Sequence, residues 1–209
     1  AGVYYDSRIA DTEYGHVGEI VYIGASENAR GEFRYGYPDL DRTRNVRVHH
    51  INNSAGYRNA EAVDIKLGCE NVTVEYCTSR NSGYSSEDAT WPAINLGGRD
   101  CTIRWNDFAK GPLGMSVAAW VPTGEIDGTE WARDNAIYGN RLADFDKPFR
   151  FLTTDVLTAP GPEAQRLFCG NQVGGASDPE FSMASDSCPS DVTMPDTIGH
   201  RGGDSPWTD

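Results

Sequence analysis

A unit of two short alternating runs recurs along this chain, and that recurrence narrows the fold more than any other feature. Its clearest copy spans residues 61–78, EAVDIKLGCENVTVEYCT. In the first run Val63, Ile65 and Leu67 alternate with Asp64 and Lys66. In the second, Val72, Val74 and Tyr76 alternate with Thr73 and Glu75. A period of two sends one set of side chains inward and the other outward on a strand. Residues 19–24, 93–98, 115–120 and 149–152 repeat the first run, and 45–51, 101–106, 135–140 and 167–171 repeat the second.

The anchors Val48, Val74, Ile103, Ile137 and Phe168 are spaced by 26, 29, 34 and 31 residues, and a self-similar period of that size marks a repeat architecture. No amphipathic helical pattern competes with it. Stacked units bury Val, Ile and Leu in one continuous core, each unit touching only its neighbours. The expectation is an all-β chain forming a parallel β-helix, a solenoid of about five coils with long loops. A propeller has repeats of similar length, but its four-stranded antiparallel blades need hairpin turns that are not visible here. On this reading residues 1–171 form the β-helix and 172–209 an irregular C-terminal tail packed on it. Val21, Ile65 and Ile94 are expected to share one core level on successive coils.

No apolar run approaches the length of a membrane span, so no membrane insertion is expected. A net charge of −13 argues against nucleic-acid binding, which needs a basic face. The five cysteines include no CxxC pair, which argues against a zinc ribbon or thioredoxin-type site. Cys169 and Cys188 flank a Gly/Ser/Asp-rich segment, where a disulfide would pin a tail too polar to hold itself. Cys101 falls at an inward strand position and reads as a small core residue; the pairing of Cys69, Cys77 and Cys101 stays open. Sequons at Asn52 and Asn71 are glycosylation candidates. Together these features favour a secreted, extracellular protein. The chain begins AGVYYDSR, which fits either a removed leader or missing N-terminal coils.

The paired runs GEIVYIG, AEAVDIKLG and AINLGG with NVRVHHI, NVTVEYC and CTIRWND resemble the right-handed parallel β-helix superfamily of pectate lyases, chondroitinase B-like lyases and their uncharacterised secreted relatives. The resemblance covers roughly residues 18 to 171. It implies a right-handed coil and an inward asparagine ladder. Asn106, Asn140 and Asn171 fall at one turn position, with Cys77 at the equivalent place one coil earlier. His50, Tyr76 and Trp105 share a neighbouring level and read as aromatic packing.

Candidate chemistry lies on the outward positions. Tyr22, Lys66 and Asn95 align on the first strand set, with Asp64 beside Lys66 and Glu61 at the start of the strand. His49, Glu75, Arg104 and Tyr138 align on the second set. An outward face of this kind suits an extended polysaccharide. Abstracting the proton next to a uronate carboxylate needs a base, often Lys or Arg in the superfamily, and a cation to neutralise the carboxylate, typically calcium held by acidic side chains. By that resemblance Lys66 and Asp64 are the catalytic candidates, on a solvent-facing groove, and Glu61 and Asp64 the calcium ligands. A chondroitinase B-like lyase also places an arginine on the following coil. Here that coil has Asn95, and the nearest arginine is Arg99 in the turn. Polygalacturonase-like hydrolases cluster aspartates in neighbouring coils, whereas Asp64 is flanked by Tyr22 and Asn95.

Each candidate has a plainer reading. Asp64 and Lys66 could form an exposed pair worth little energy. His49 and Arg104, the second catalytic candidates, could belong with Glu75 to a charge ladder between coils. Tyr22 and Asn95 are substrate-contact candidates. Trp91, Trp120 and Trp131 could form a sugar-stacking rim or anchor loops in the core. His16 and His200 read as surface residues. The expected function is a secreted carbohydrate-active β-helix that binds an extended polysaccharide and cleaves it by calcium-assisted β-elimination. The alternative is a non-catalytic structural or adhesive β-helix of a cell surface, docked to an extracellular assembly partner or to a missing N-terminal segment.

Overall fold

The computed structural model describes residues 20–24, 42–53, 61–80, 92–118, 125–126, 129–151, 153–154, 157–158, 161–174, 187–196 and 198–199. In chain order its strands are β1 (Val21–Ile23), β2 (Arg44–His49), β3 (Asn52–Asn53), β4 (Val63–Ile65), β5 (Glu70–Glu75), β6 (Thr78–Arg80), β7 (Pro92–Leu96), β8 (Thr102–Arg104) and β9 (Asp107–Val117). They continue as β10 (Glu125–Ile126), β11 (Thr129–Glu130), β12 (Ala136–Tyr138), β13 (Arg141–Phe151), β14 (Thr153–Thr154), β15 (Leu157–Thr158), β16 (Leu167–Cys169) and β17 (Gln172–Gly174). Among the described residues the helical structure is a single 3-10 turn at Pro162–Ala164.

Two parallel sheets carry the fold. Sheet A runs β1-β4-β7-β9-β13-β17, with β3 and β6 joined to it, and sheet B runs β16-β12-β8-β5-β2. The chain passes back and forth between them, and the pairings within both sheets are parallel. The antiparallel pairs among the described residues, β10–β11 and β14–β15, lie outside both sheets. Blades of a propeller are therefore excluded.

The second strand set has the register expected from the sequence. Val48, Val74, Ile103, Ile137 and Phe168 are consecutive partners across sheet B, and Val74, Ile103 and Ile137 are fully enclosed. The first set departs from expectation. Val21 pairs with Val63 and then Ile94, while Ile65 belongs with Ile23 and Leu96. A slip of two residues keeps every side chain on its face, so alternation cannot detect it. The backbone hydrogen bonds Val21 N to Ala62 O and Lys66 N to Ile23 O fix the observed register. Burying each of these aliphatic side chains is worth about 1.5–3 kcal/mol.

The turns are built from single residues with positive φ. Asn45 and Asn71 are the second residues of β2 and β5, Asp100 and Asp134 stand two residues before β8 and β12, and His50, Tyr76, Trp105, Gly139 and Gly170 follow successive sheet B strands. Asn and Asp tolerate this conformation through short polar side chains. For an aromatic residue it costs roughly 1–2 kcal/mol, and here ring packing offsets that cost. His50 stacks on Tyr76 at 5.3 Å and Tyr76 tilts onto Trp105 at 5.0 Å.

One residue past this corner lies the asparagine ladder. The Cys77 amide donates to Asn106 Oδ1 at 3.0 Å, Asn106 Nδ2 to Asn140 Oδ1 at 2.9 Å, and Asn140 Nδ2 to Asn171 Oδ1 at 3.0 Å. The side-chain amides of Asn106, Asn140 and Asn171 also donate to the carbonyls of Val74, Ile103 and Ile137, respectively. Buried turn backbone is thereby satisfied by side chains, as enclosure requires. A second, shorter ladder was not anticipated: Cys101 N donates to Asn135 Oδ1, Asn135 Nδ2 to Gln165 Oε1, and Gln165 Nε2 to the Ala132 carbonyl. Its signal was legible, since Asn135 stands directly before the AIY run, where Cys101 precedes TIR.

Cys169 and Cys188 form the expected disulfide. Cys69, Cys77 and Cys101 are buried and not disulfide-bonded, and enclosure pushes the pKa of the Cys77 and Cys101 thiols up to about 12.

Candidate functional site

On the outer face of sheet A, Tyr22, Asp64, Asn95, Ser116 and Arg150 are in register across β1, β4, β7, β9 and β13. Period-two alternation produces this row, because the residues on either side of each member point into the core. Lys66 lies just past the end of β4, so it is Asp64 rather than Lys66 that aligns with Tyr22 and Asn95. Lys66 Nζ reaches back to Asp64 Oδ2 at 2.7 Å, and Asn95 Nδ2 donates to Asp64 Oδ1 at 2.9 Å. Arg150 Nη2 lies 3.4 Å from Ser116 Oγ, and burial pulls the Arg150 pKa below the usual arginine value. The sequence reading did not single out Ser116 and Arg150. Extending the alternation through 115–120 and 149–152 would have placed both beside Asp64 and Asn95.

The row is not the solvent-facing groove expected. Asp64 is 1% exposed and Asn95 4%, and Glu61 and Ser116 are buried as well. The Lys66 side chain keeps 14% of its surface in solvent. The plainer reading of an exposed ion pair also fails, since its carboxylate is enclosed. Alternation tells which face a residue occupies but not what covers that face. Tyr22, 43% exposed, is the solvent-reaching end of the row. Lys66 Nζ sits 5.0 Å from the centre of its ring, within cation–π range.

On the outer face of sheet B, His49, Glu75, Arg104 and Tyr138 are consecutive partners, as expected. Glu75 is wholly enclosed. Arg47 Nε meets its Oε1 at 2.5 Å and Arg104 Nε its Oε2 at 2.6 Å. Arg104 also donates to Tyr138 Oη at 2.9 Å and lies over the Trp105 ring. Partial burial works against the Arg104 charge, but its hydrogen bonds to Tyr138 and Glu75 outweigh that, and its pKa lies above the usual arginine value. His49 Nδ1 lies 2.9 Å from His50 Nδ1.

The remaining candidates scatter. Trp131 is 1% exposed in the main core, so it is an anchor and not part of a stacking rim. Trp91, Trp120, His16 and His200 lie outside the described residues. Asn52 and Asn71 are exposed, and Asn71 Nδ2 donates to Asn45 Oδ1 at 2.6 Å.

The donors around Asp64 do not fit a calcium cage. Hard cations need several oxygens free of competing donors, yet both Asp64 oxygens face nitrogen donors. Among the described residues no group of three His, Cys, Asp or Glu is placed to hold a metal ion. Chemically, the Tyr22–Lys66–Asp64 end offers an aromatic platform, a cation and a carboxylate side by side. No protein-family model, no curated protein and no solved structure matches the chain.

Proposed function

We propose that the chain is a right-handed parallel β-helix of about five coils that is secreted and binds an extended acidic polysaccharide, cleaving it by β-elimination. The observation that carries this reading is the exposed Tyr22 ring beside the Lys66 ammonium and the buried Asp64 carboxylate. A tyrosine face packs against a sugar ring, and an adjacent ammonium pairs with a uronate carboxylate. Lys66, ion-paired with Asp64, supplies the cation for the substrate carboxylate. When the substrate carboxylate competes for Lys66, Asp64 is left enclosed with less compensation. Asp64, its ammonium partner drawn away, then takes the proton next to the uronate carboxyl. The carbon–carbon double bond forms as the glycosidic bond to the leaving oxygen breaks, and that oxygen takes a proton from solvent. No step calls on calcium.

A second reading, a non-catalytic structural or adhesive β-helix, is favoured by the enclosure of Asp64, Asn95 and Ser116. Incubation with a panel of uronate polymers, with calcium and with a chelator, separates the two. The catalytic reading expects unsaturated products under both conditions and none from Asp64→Asn. Binding without products supports the adhesive reading, and neither binding nor products removes polysaccharide as the ligand.

A further inference from the structure

We propose that the C-terminal residues 187–196 and 198–199 form a disulfide-locked clasp over the outer face of sheet B, opened by reduction while the sheets stay folded. The inference does not depend on the proposed activity, which lies on sheet A.

The clasp starts at Cys188, bonded to Cys169 at the end of β16. From there the segment runs back along the corner column toward earlier circuits. Cys188, Val192 and Ile198 pack against a small apolar cluster, separate from the main core, made of Trp105, Ala136, Tyr138 and Cys169. The Gly199 amide donates to the Trp105 carbonyl at 2.7 Å. At Gly199 a Cβ would lie 2.7 Å from Thr78 Oγ1 and from Asp107 Cβ, so the segment ends hard against β6 and β9.

The corner column is shaped for this cover. His50, Tyr76 and Trp105 hold its first three positions, and Gly139 and Gly170 the last two. A Cβ at Gly139 would meet Met194 Cε at 2.7 Å, and one at Gly170 would meet Cys188 Sγ at 3.0 Å. Side chains are therefore absent from the column at Gly139 and Gly170, where Met194 and Cys188 approach it.

The non-covalent hold is thin. Ser187, Pro189, Ser190, Asp191, Thr193 and Met194 are exposed, and segments with few buried contacts and exposed backbone open at low free energy. The covalent link is what keeps the ends together. A dithiol reductant breaks it by two exchanges: the Cys169–Cys188 bond is cleaved, each sulfur ends as a protonated thiol, and the reductant closes to its own disulfide. Cys69, Cys77 and Cys101 are not disulfide-bonded, so the reagent has one protein target. Release bares Trp105, Tyr138 and Ala136, which the closed segment keeps at or below 9% exposure.

Hydrogen exchange of the full chain, read by mass spectrometry with and without dithiothreitol, tests this. The expected result is exchange about tenfold or more faster across 187–199 on reduction, with β5, β8 and β12 amides still protected. Cys188→Ser should reproduce it without reagent. A segment equally protected after reduction and in Cys188→Ser overturns the lock. Loss of protection in all strands together also overturns it, because the disulfide would then be a staple of the whole fold.

Discussion

Two enclosed carboxylates, Glu75 on sheet B and Asp64 on sheet A, sit in similar positions and are held differently. Glu75 takes its cations from β2 and β8, the strands on either side, and each arginine presents a rigid fork. Asp64 takes a cation from Lys66, two residues along its own chain, and a neutral amide, Asn95, from a neighbouring strand. Glu75 therefore ties three strands together, while Asp64 holds a flexible ammonium that also reaches an exposed ring. The first arrangement fixes register; the second can exchange its partner. Burial alone does not tell a structural charge from a reactive one; the origin of the counter-charge does.

The largest effect should come from taking both cations from Glu75. An enclosed carboxylate without its partners typically costs 3–5 kcal/mol. The double variant Arg47→Ala/Arg104→Ala should therefore lower the thermal midpoint by roughly 10 °C, at about 2–4 °C per kcal/mol for a chain of this size. The single Arg47→Ala should cost less, because that side chain is half exposed and Arg104 remains. A double variant that melts within a degree or two of wild type would show that Glu75 is not a clamp.

Lys66→Ala comes next, at about 2–3 kcal/mol, below the full value for a broken buried pair because Asn95 still donates to Asp64. An exposed pair would cost about 0–1 kcal/mol, so denaturant unfolding discriminates between the two. Lys66→Ala combined with Asp64→Asn should recover part of the loss, since no enclosed charge remains. If the double variant is no more stable than the single, the pair is not the source of the effect.

What the sequence made legible follows from what alternation encodes. It names the face of each residue, so the Val48-to-Phe168 column, the Asn106–Asn140–Asn171 ladder and the outward His49–Glu75–Arg104–Tyr138 row were all readable. It cannot distinguish Val63 from Ile65 as the partner of Val21, because both point inward. Nor can it tell that Asp64 is covered, because cover comes from elsewhere in the chain. The positive-φ column Asn45, Asn71, Asp100 and Asp134 could have been found, since each stands at or just before the start of a sheet B strand and is of a type that accepts positive φ. Arg150 was hidden only because its run was read for its phenylalanines.

Tyr22→Ala sharpens the contrast from the other side. Its ring is largely exposed, so truncation should change stability by about 0.5 kcal/mol or less. If the Asp64 end binds a uronate polymer, affinity should fall with the fold intact. Unchanged affinity for a polymer that wild type does bind would move the binding surface away from Lys66.

The smallest effect, none at neutral pH, concerns the thiols of Cys77 and Cys101. Burial is the main cause of their rise, and for Cys77 the nearby Glu75 charge adds to it. From the reference value of 9.0 both rise to about 12 in the folded chain. Below pH 9 the thiols are protonated whether the chain is folded or not, and they add no pH dependence. Between pH 9 and 12 the unfolded chain releases these protons while the folded chain keeps them. Stability then falls by about 1.4 kcal/mol per pH unit for each thiol. Cys101→Ala should flatten the alkaline slope by one such increment, and Cys77→Ala by another. Iodoacetamide at pH 8 should leave both thiols unmodified in the native protein and alkylate them once it is unfolded. Fast native alkylation of Cys77 would mean that the corner beside Glu75 opens readily, and the clamp would then be no firmer than the Asp64–Lys66 pair.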